Sequence, residues 1–151
     1  MIRMKRAEAK AQIRASILDR LRAELEPGGR LEGLDGIYDG ERVRSIPELP
    51  AVFLIRESES VEQSRLHEMI DYELSLLAIV SDETPDAGLD AAEWWAAEAS
   101  AVLTTGDRTL GLPYVNDVKL IRSVPVADPY TGRRRVATVD TIHVTYTILQ
   151  G

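Results

Sequence analysis

The residues best suited to chemistry in this sequence are two histidines, a set of carboxylates around positions 82–90 and a triplet of arginines. His67 and His143 stand in no HExxH or HxH spacing that would present two ligands to one metal. Glu68 and Asp71 lie close to His67 in sequence and can orient an imidazole, but in so polar a stretch the ordinary role of this side chain is a solvated one. Asp82, Glu83, Asp86 and Asp90 offer the oxygen ligands that a hard cation takes from a loop, without EF-hand spacing. A helix N-terminus, where the dipole favours negative charge, explains them without any ion.

Nucleophiles fare no better. Ser and Thr are plentiful, yet no Gly-x-Ser-x-Gly elbow or Ser-x-x-Lys tetrad is present to activate a hydroxyl. Gly28-Gly29 and the stretch from Gly33 to Gly36 lack the lysine and following helix of a phosphate-cradling loop. The absence of cysteine removes disulfides, thiolate catalysis and Cys-ligated zinc. No catalytic residue, metal ligand or cofactor site is assigned, and a non-enzymatic role is expected. Arg133-Arg134-Arg135 follows the turn signal Asp128-Pro129-Tyr130-Thr131-Gly132, so a hairpin tip would carry it toward an acidic neighbour or a passing nucleic acid.

The elements that must hold these groups follow from composition and periodicity. A chain of 151 residues, 44% hydrophobic and 28% charged, suits one globular domain; a domain of that size buries about 70% of the surface its unfolded chain exposes. No apolar run approaches the ~18 residues of a membrane span. The basic start Met1 to Arg6 leads into a charged helix and not into the apolar core of a signal peptide, so the cytoplasm is the expected compartment. A net charge of −7 opposes nucleic-acid binding by phosphate neutralisation. Lys5, Arg6, Lys10, Arg14, Arg20 and Arg22 stud the first helix but alternate with Glu8, Asp19, Glu24 and Glu26, the pattern of solvated faces able to touch acidic partners.

Ile13, Ile17, Leu18, Leu21 and Leu25 recur at three and four, predicting an amphipathic helix over residues 6–25 that stops at Pro27-Gly28-Gly29. A short strand is expected over 37–46, then an extended turn at Pro47-Glu48-Leu49-Pro50. Ala51 to Ile55 reads as a central strand and Met69 to Val80 as the next, with Ser58 to Glu68 a mobile connection between the two arms of a hairpin. Asp90 with Glu93 has the form of a capping pair opening a second helix that runs to Leu103, with Leu89, Trp95, Val102 and Leu103 as core anchors. Adjacent helical residues point about 100° apart, so Trp94 and Trp95 cannot share one core, and Trp94 is a candidate interface residue. Tyr114 to Val124 is expected to be a strand with Val118, Leu120 and Val124 on one face, ended by Pro125. Residues 136–149 alternate most clearly: Ile142, Val144, Tyr146 and Ile148 against Thr141, His143, Thr145 and Thr147. The resulting fold class is α+β, an antiparallel-rich mixed sheet of four or five strands with two helices packed on one face.

The layout resembles the tail terminator proteins of long-tailed bacteriophages. The resemblance covers nearly the whole chain and rests on Ile13-Arg14-Ala15-Ser16-Ile17-Leu18 in the opening helix and Glu48-Leu49-Pro50-Ala51-Val52-Phe53-Leu54 leading into a strand. Tyr72 to Val80, Leu89-Asp90 and the closing Val144-Thr145-Tyr146-Thr147-Ile148 complete it. It implies a virion subunit, assembled in the host cytoplasm, that forms a homo-oligomeric ring, expected to be a hexamer, at the head-proximal end of the tail tube. Its implied partners are the tail tube protein and the head-tail connector or neck protein, with DNA passing through without specific binding and no membrane. An acidic lumen would repel phosphates and let DNA slide. The family carries no fixed interface motif, so Lys10, Arg14, Trp94, Arg133, Arg134 and Arg135 are candidate contacts on physical grounds alone. The rival readings are another neck, connector or tail-completion subunit, and a small-molecule binder or enzyme.

Overall fold

The computed structural model describes residues 2–40, 48–81, 85–126 and 135–150. The elements in order are β1 (Arg3–Met4), α1 (Arg6–Ala23), β2 (Gly36–Asp39), β3 (Ala51–Gln63), β4 (His67–Ser81), α2 (Pro85–Thr104), β5 (Val115–Val126) and β6 (Arg135–Gln150). The fold is α+β, built on one six-stranded mixed sheet. β2, β3, β4 and β6 lie side by side, and the far side of β6 is shared by β5 and β1. β3, β4, β6 and β5 pair antiparallel, while β2 with β3 and β1 with β6 are parallel. The count exceeds the expected four or five because β1 has two residues, too few to show any period.

Both helices pack on one face. Ile13, Ile17 and Leu21 of α1 share a core with Ala96, Ala99 and Leu103 of α2 and with Val52, Leu54, Leu74, Leu76, Ile142 and Val144 of the sheet. Residues of opposite parity, among them Phe53, Leu77, Ile79 and Ala137, form a second, smaller cluster on the other face. The strong alternation of β6 has this cause: Ile142, Val144, Tyr146 and Ile148 are fully buried against the helices, each such side chain contributing about 1.5–3 kcal/mol. Gly28 adopts φ +85° just past α1, and a Cβ at Gly29 would overlap the Glu24 carbonyl, so both glycines are needed for the chain to leave the helix here.

Several local expectations are corrected. α2 starts at Pro85, upstream of Asp90, because proline loses nothing at a first helical position whose N–H has no partner anyway; Asp90 and Glu93 are therefore interior, not a capping pair. The stretch from Ser58 to Glu68 is no mobile connection: β3 continues to Gln63, β4 begins at His67, and only Ser64 to Leu66 turn, closed by the Ser64 amide donating to the His67 carbonyl at 2.9 Å. Its polarity marks a solvated half of a strand, not the lack of a ladder. In β5, Leu120 keeps the face of buried Val118, opposite Ile142, though it is 47% exposed, whereas Val124 (41%) leaves that face. The register shifts between Leu120 and Arg122, leaving Ile121 as an extra residue that turns Val124 to the opposite face. Pro125 stays in the ladder opposite Thr138, since a strand paired on one side only tolerates a missing donor. The predicted strand over 37–46 is observed as β2, its residues 41–46 lying outside the described ones.

Candidate functional site

Lys10 and Arg14 project from α1 over the distal half of the β3–β4 hairpin. The Lys10 ammonium lies 3.2 Å from a Glu59 carboxylate oxygen and 5.7 Å from the centre of the Tyr72 ring, and Arg14 donates to the Tyr72 hydroxyl at 3.0 Å. Arg6 reaches Glu59 at 3.3 Å and Glu68 at 3.1 Å. Lys10, Arg14, Arg56, Glu57, Ser58 and Tyr72 line an open cleft of about 380 Å³. Further along the helix, Arg20 pairs with Asp107 at 3.1 Å and Arg22 donates to the Ile37 carbonyl at 3.0 Å. Much of the basic face of α1 is thus satisfied within the chain, fastening the helix across the sheet.

Trp94 is 52% exposed, while Trp95 packs against the main core with its ring 4.8 Å from that of Trp94 in an edge-on contact. The two indoles divide as helical geometry requires. Arg133 and Arg134 lie outside the described residues, as do the turn before them and Asp82 and Glu83; Arg135 opens β6 opposite Ser81, and its side chain is also outside. Lys10 and Arg14 therefore share one surface, and nothing places Trp94 with them.

A polar constellation escapes sequence reading altogether. On the sheet face away from the helices, His143 of β6 places Nδ1 3.1 Å from Asp71 and Nε2 3.0 Å from Glu73, both on β4. Arg122 of β5 stands 3.8 Å from Glu73. A neutral imidazole donates to one carboxylate, an imidazolium to both. The hydrogen bond to His143 holds the Glu73 carboxyl below its ordinary value against some desolvation, with help from Arg122 and from a Ser58 hydroxyl bond. That serine reaches the carboxylate, not the ring, so the arrangement is an ion cluster and not a relay toward a hydroxyl nucleophile. Outward parity of Asp71, Glu73 and His143 is readable from alternation; the register that sets Glu73 opposite His143 is not.

Among the described residues, no three His, Asp or Glu side chains converge as metal ligands do, and no helix is long and apolar enough to cross a membrane. The sides of the sheet are the other notable surface. Beyond Leu54 the outer side of β3 has no strand beside it among the described residues, and neither has the outer side of β5. No protein-family model and no curated protein matches this chain.

Proposed function

We propose that this chain is a tail terminator, a structural subunit that closes into a ring at the head-proximal end of a long-tailed phage tail tube. The ring stops tube polymerisation and offers a joining surface to the head connector, and DNA passes through its centre. The observation that carries this reading is that, among the described residues, the outer side of β5 and the outer side of β3 beyond Leu54, on opposite sides of one sheet, have no strand beside them. A subunit with two different sticky sides joins copies head to tail, and such contacts make a ring when the rotation closes. The order of helix, strands, helix and strands agrees with the layout that the sequence resembles, and the net charge of −7 suits a passage that must not hold DNA.

The test adds purified chain to polymerising tail tubes and images them by negative stain. Tubes that stop growing and carry a ring at one end are the expected result. Unchanged tube growth, with the chain copurifying with filled heads, overturns it in favour of a connector role.

A further inference from the structure

We infer that the outward face of α2 around Trp94 is a docking surface for a basic segment of another protein, one arginine of which stacks on the indole and pairs with Asp90. The contact does not depend on ring closure.

Helical spacing sets the surroundings of Trp94. Its neighbours three and four positions away are Asp90, Ala91, Ala97 and Glu98, so the indole stands between a carboxylate on either side and two short alanines that do not block approach. Trp94 is 52% exposed. Its ring meets that of Trp95 edge-on at 4.8 Å, and Trp95 itself packs on the main core. The exposed indole is thereby braced by an anchored one, and a partner has little side-chain freedom to freeze on binding it. An open, pre-ordered tryptophan is the kind of residue that dominates the energy of protein contacts.

Charge defines the partner. α2 carries Asp86, Asp90, Glu93 and Glu98 and no Lys, Arg or His. Glu98 already takes an arginine from within the chain, Arg30 at 3.2 Å. Asp90 and Glu93 are exposed, and among the described residues neither carboxylate has an ion pair or a hydrogen bond. The helix dipole does not account for them, because both lie beyond the first turn, where its pull has faded. What this surface lacks is a cation.

Arginine fits it better than lysine. A guanidinium lies flat on an indole while its edge donates two parallel hydrogen bonds to a carboxylate. Trp94 and Asp90 are one helical turn apart, about 5–6 Å between Cβ atoms, so one guanidinium spans both. A lysine ammonium is a point charge without that flat face. Phosphates and acidic proteins are repelled by the same carboxylates.

The experiment labels both tryptophans of the full chain with fluorine, assigns the Trp94 resonance with Trp94→Phe, and adds a synthetic peptide of alternating Ala and Arg. Ala-Lys and Ala-Glu peptides are compared, and circular dichroism checks that each variant is folded. The Ala-Arg peptide should shift the Trp94 resonance and leave that of Trp95 in place, Ala-Lys should bind more weakly and Ala-Glu not at all. Trp94→Ala should raise the dissociation constant at least about fivefold, and Trp94→Phe, which keeps an aromatic face, should raise it less. Asp90→Asn with Glu93→Gln should raise it about tenfold at low salt and less at high salt. The same change of charge made elsewhere, Asp19→Asn with Glu62→Gln, should leave it within about twofold. A Trp94 resonance that does not move overturns the docking surface. Equal losses from the two pairs of neutralised carboxylates also overturn it, reducing the binding to attraction by net charge. A native oligomer that Trp94→Ala brings down to the 16.8 kDa of one chain gives the surface to a second copy and overturns the separate partner.

Discussion

Ser100 of α2 donates a 2.6 Å hydrogen bond to the carboxylate of Asp140 on β6, and both side chains are buried. The second oxygen of Asp140 and the neighbouring Thr138 hydroxyl are buried without a hydrogen-bond partner. This contact is a polar clamp between helix and sheet in an otherwise apolar layer. Ser100→Ala, which strands the carboxylate, should destabilise by about 1.5–3 kcal/mol in urea unfolding. The double variant with Asp140→Ala should cost less than the sum of the single ones, since no orphaned group then remains. Strict additivity would show that the clamp is not coupled.

Acid should loosen the sheet through Glu73. Its folded pKa lies below the ordinary 4.5, so the stabilisation is present above that value and is lost as pH falls through the lower folded one. Glu73→Gln, or His143→Ala, which removes the main cause, should flatten the dependence of urea midpoint on pH below about 4.5. Identical slopes in native and variant chains would rule this out. The side chain is only partly buried, so solvent screening keeps the effect small.

Asp107 titrates lower still, from 3.8 to about 2, held there first by the Thr109 hydroxyl and amide and then by Arg20. Its contribution is complete above 3.8 and disappears as pH falls through about 2. A carboxyl chemical-shift titration should place its midpoint near 2, and Thr109→Val should move it upward. A midpoint at the ordinary value would mean that this turn is not formed in solution.

The two indoles should separate stability from association. Trp95→Ala removes a ring packed on the main core and should cost about 3 kcal/mol of unfolding free energy. Trp94→Ala should cost about 1 kcal/mol at most, the value of an edge-on aromatic contact. Thermal melts of the two variants check the order, and equal losses would contradict it.

Glu59 gathers Arg6 and Lys10 at one carboxylate. Glu59→Gln should cost about 1 kcal/mol at low salt, less in 0.5 M salt because partly exposed pairs are screened. A loss independent of salt would point to packing as the cause.

The long elements were legible because each has one buried side. The Ile13, Ile17, Leu21 stripe of α1 and the Ile142 to Ile148 alternation of β6 both report burial directly. Failures occurred where polarity had another cause. Glu57 to Gln63 looks like a loop because that half of β3 meets solvent, yet its ladder to β4 is continuous to Gln63 apart from a shift near Arg56. The bulge at Ile121 inverted the expected facing of Val124, and a single inserted residue leaves no mark on composition. The His143, Asp71 and Glu73 cluster required a register between strands far apart in sequence, which alternation within either strand does not encode.

The position of β6 also bears on synthesis. It is made after β1 to β5, yet it lies in the interior of the sheet, joining β4 to β5 and β1. Until Arg135 to Gln150 emerge, the run Leu76 to Val80 lacks its main neighbour, and the nascent chain exposes an apolar strand whose one free side invites wrong pairing. Folding of this sheet is therefore a late, collective event, in which β4 gains its second neighbour only after β6 has been made.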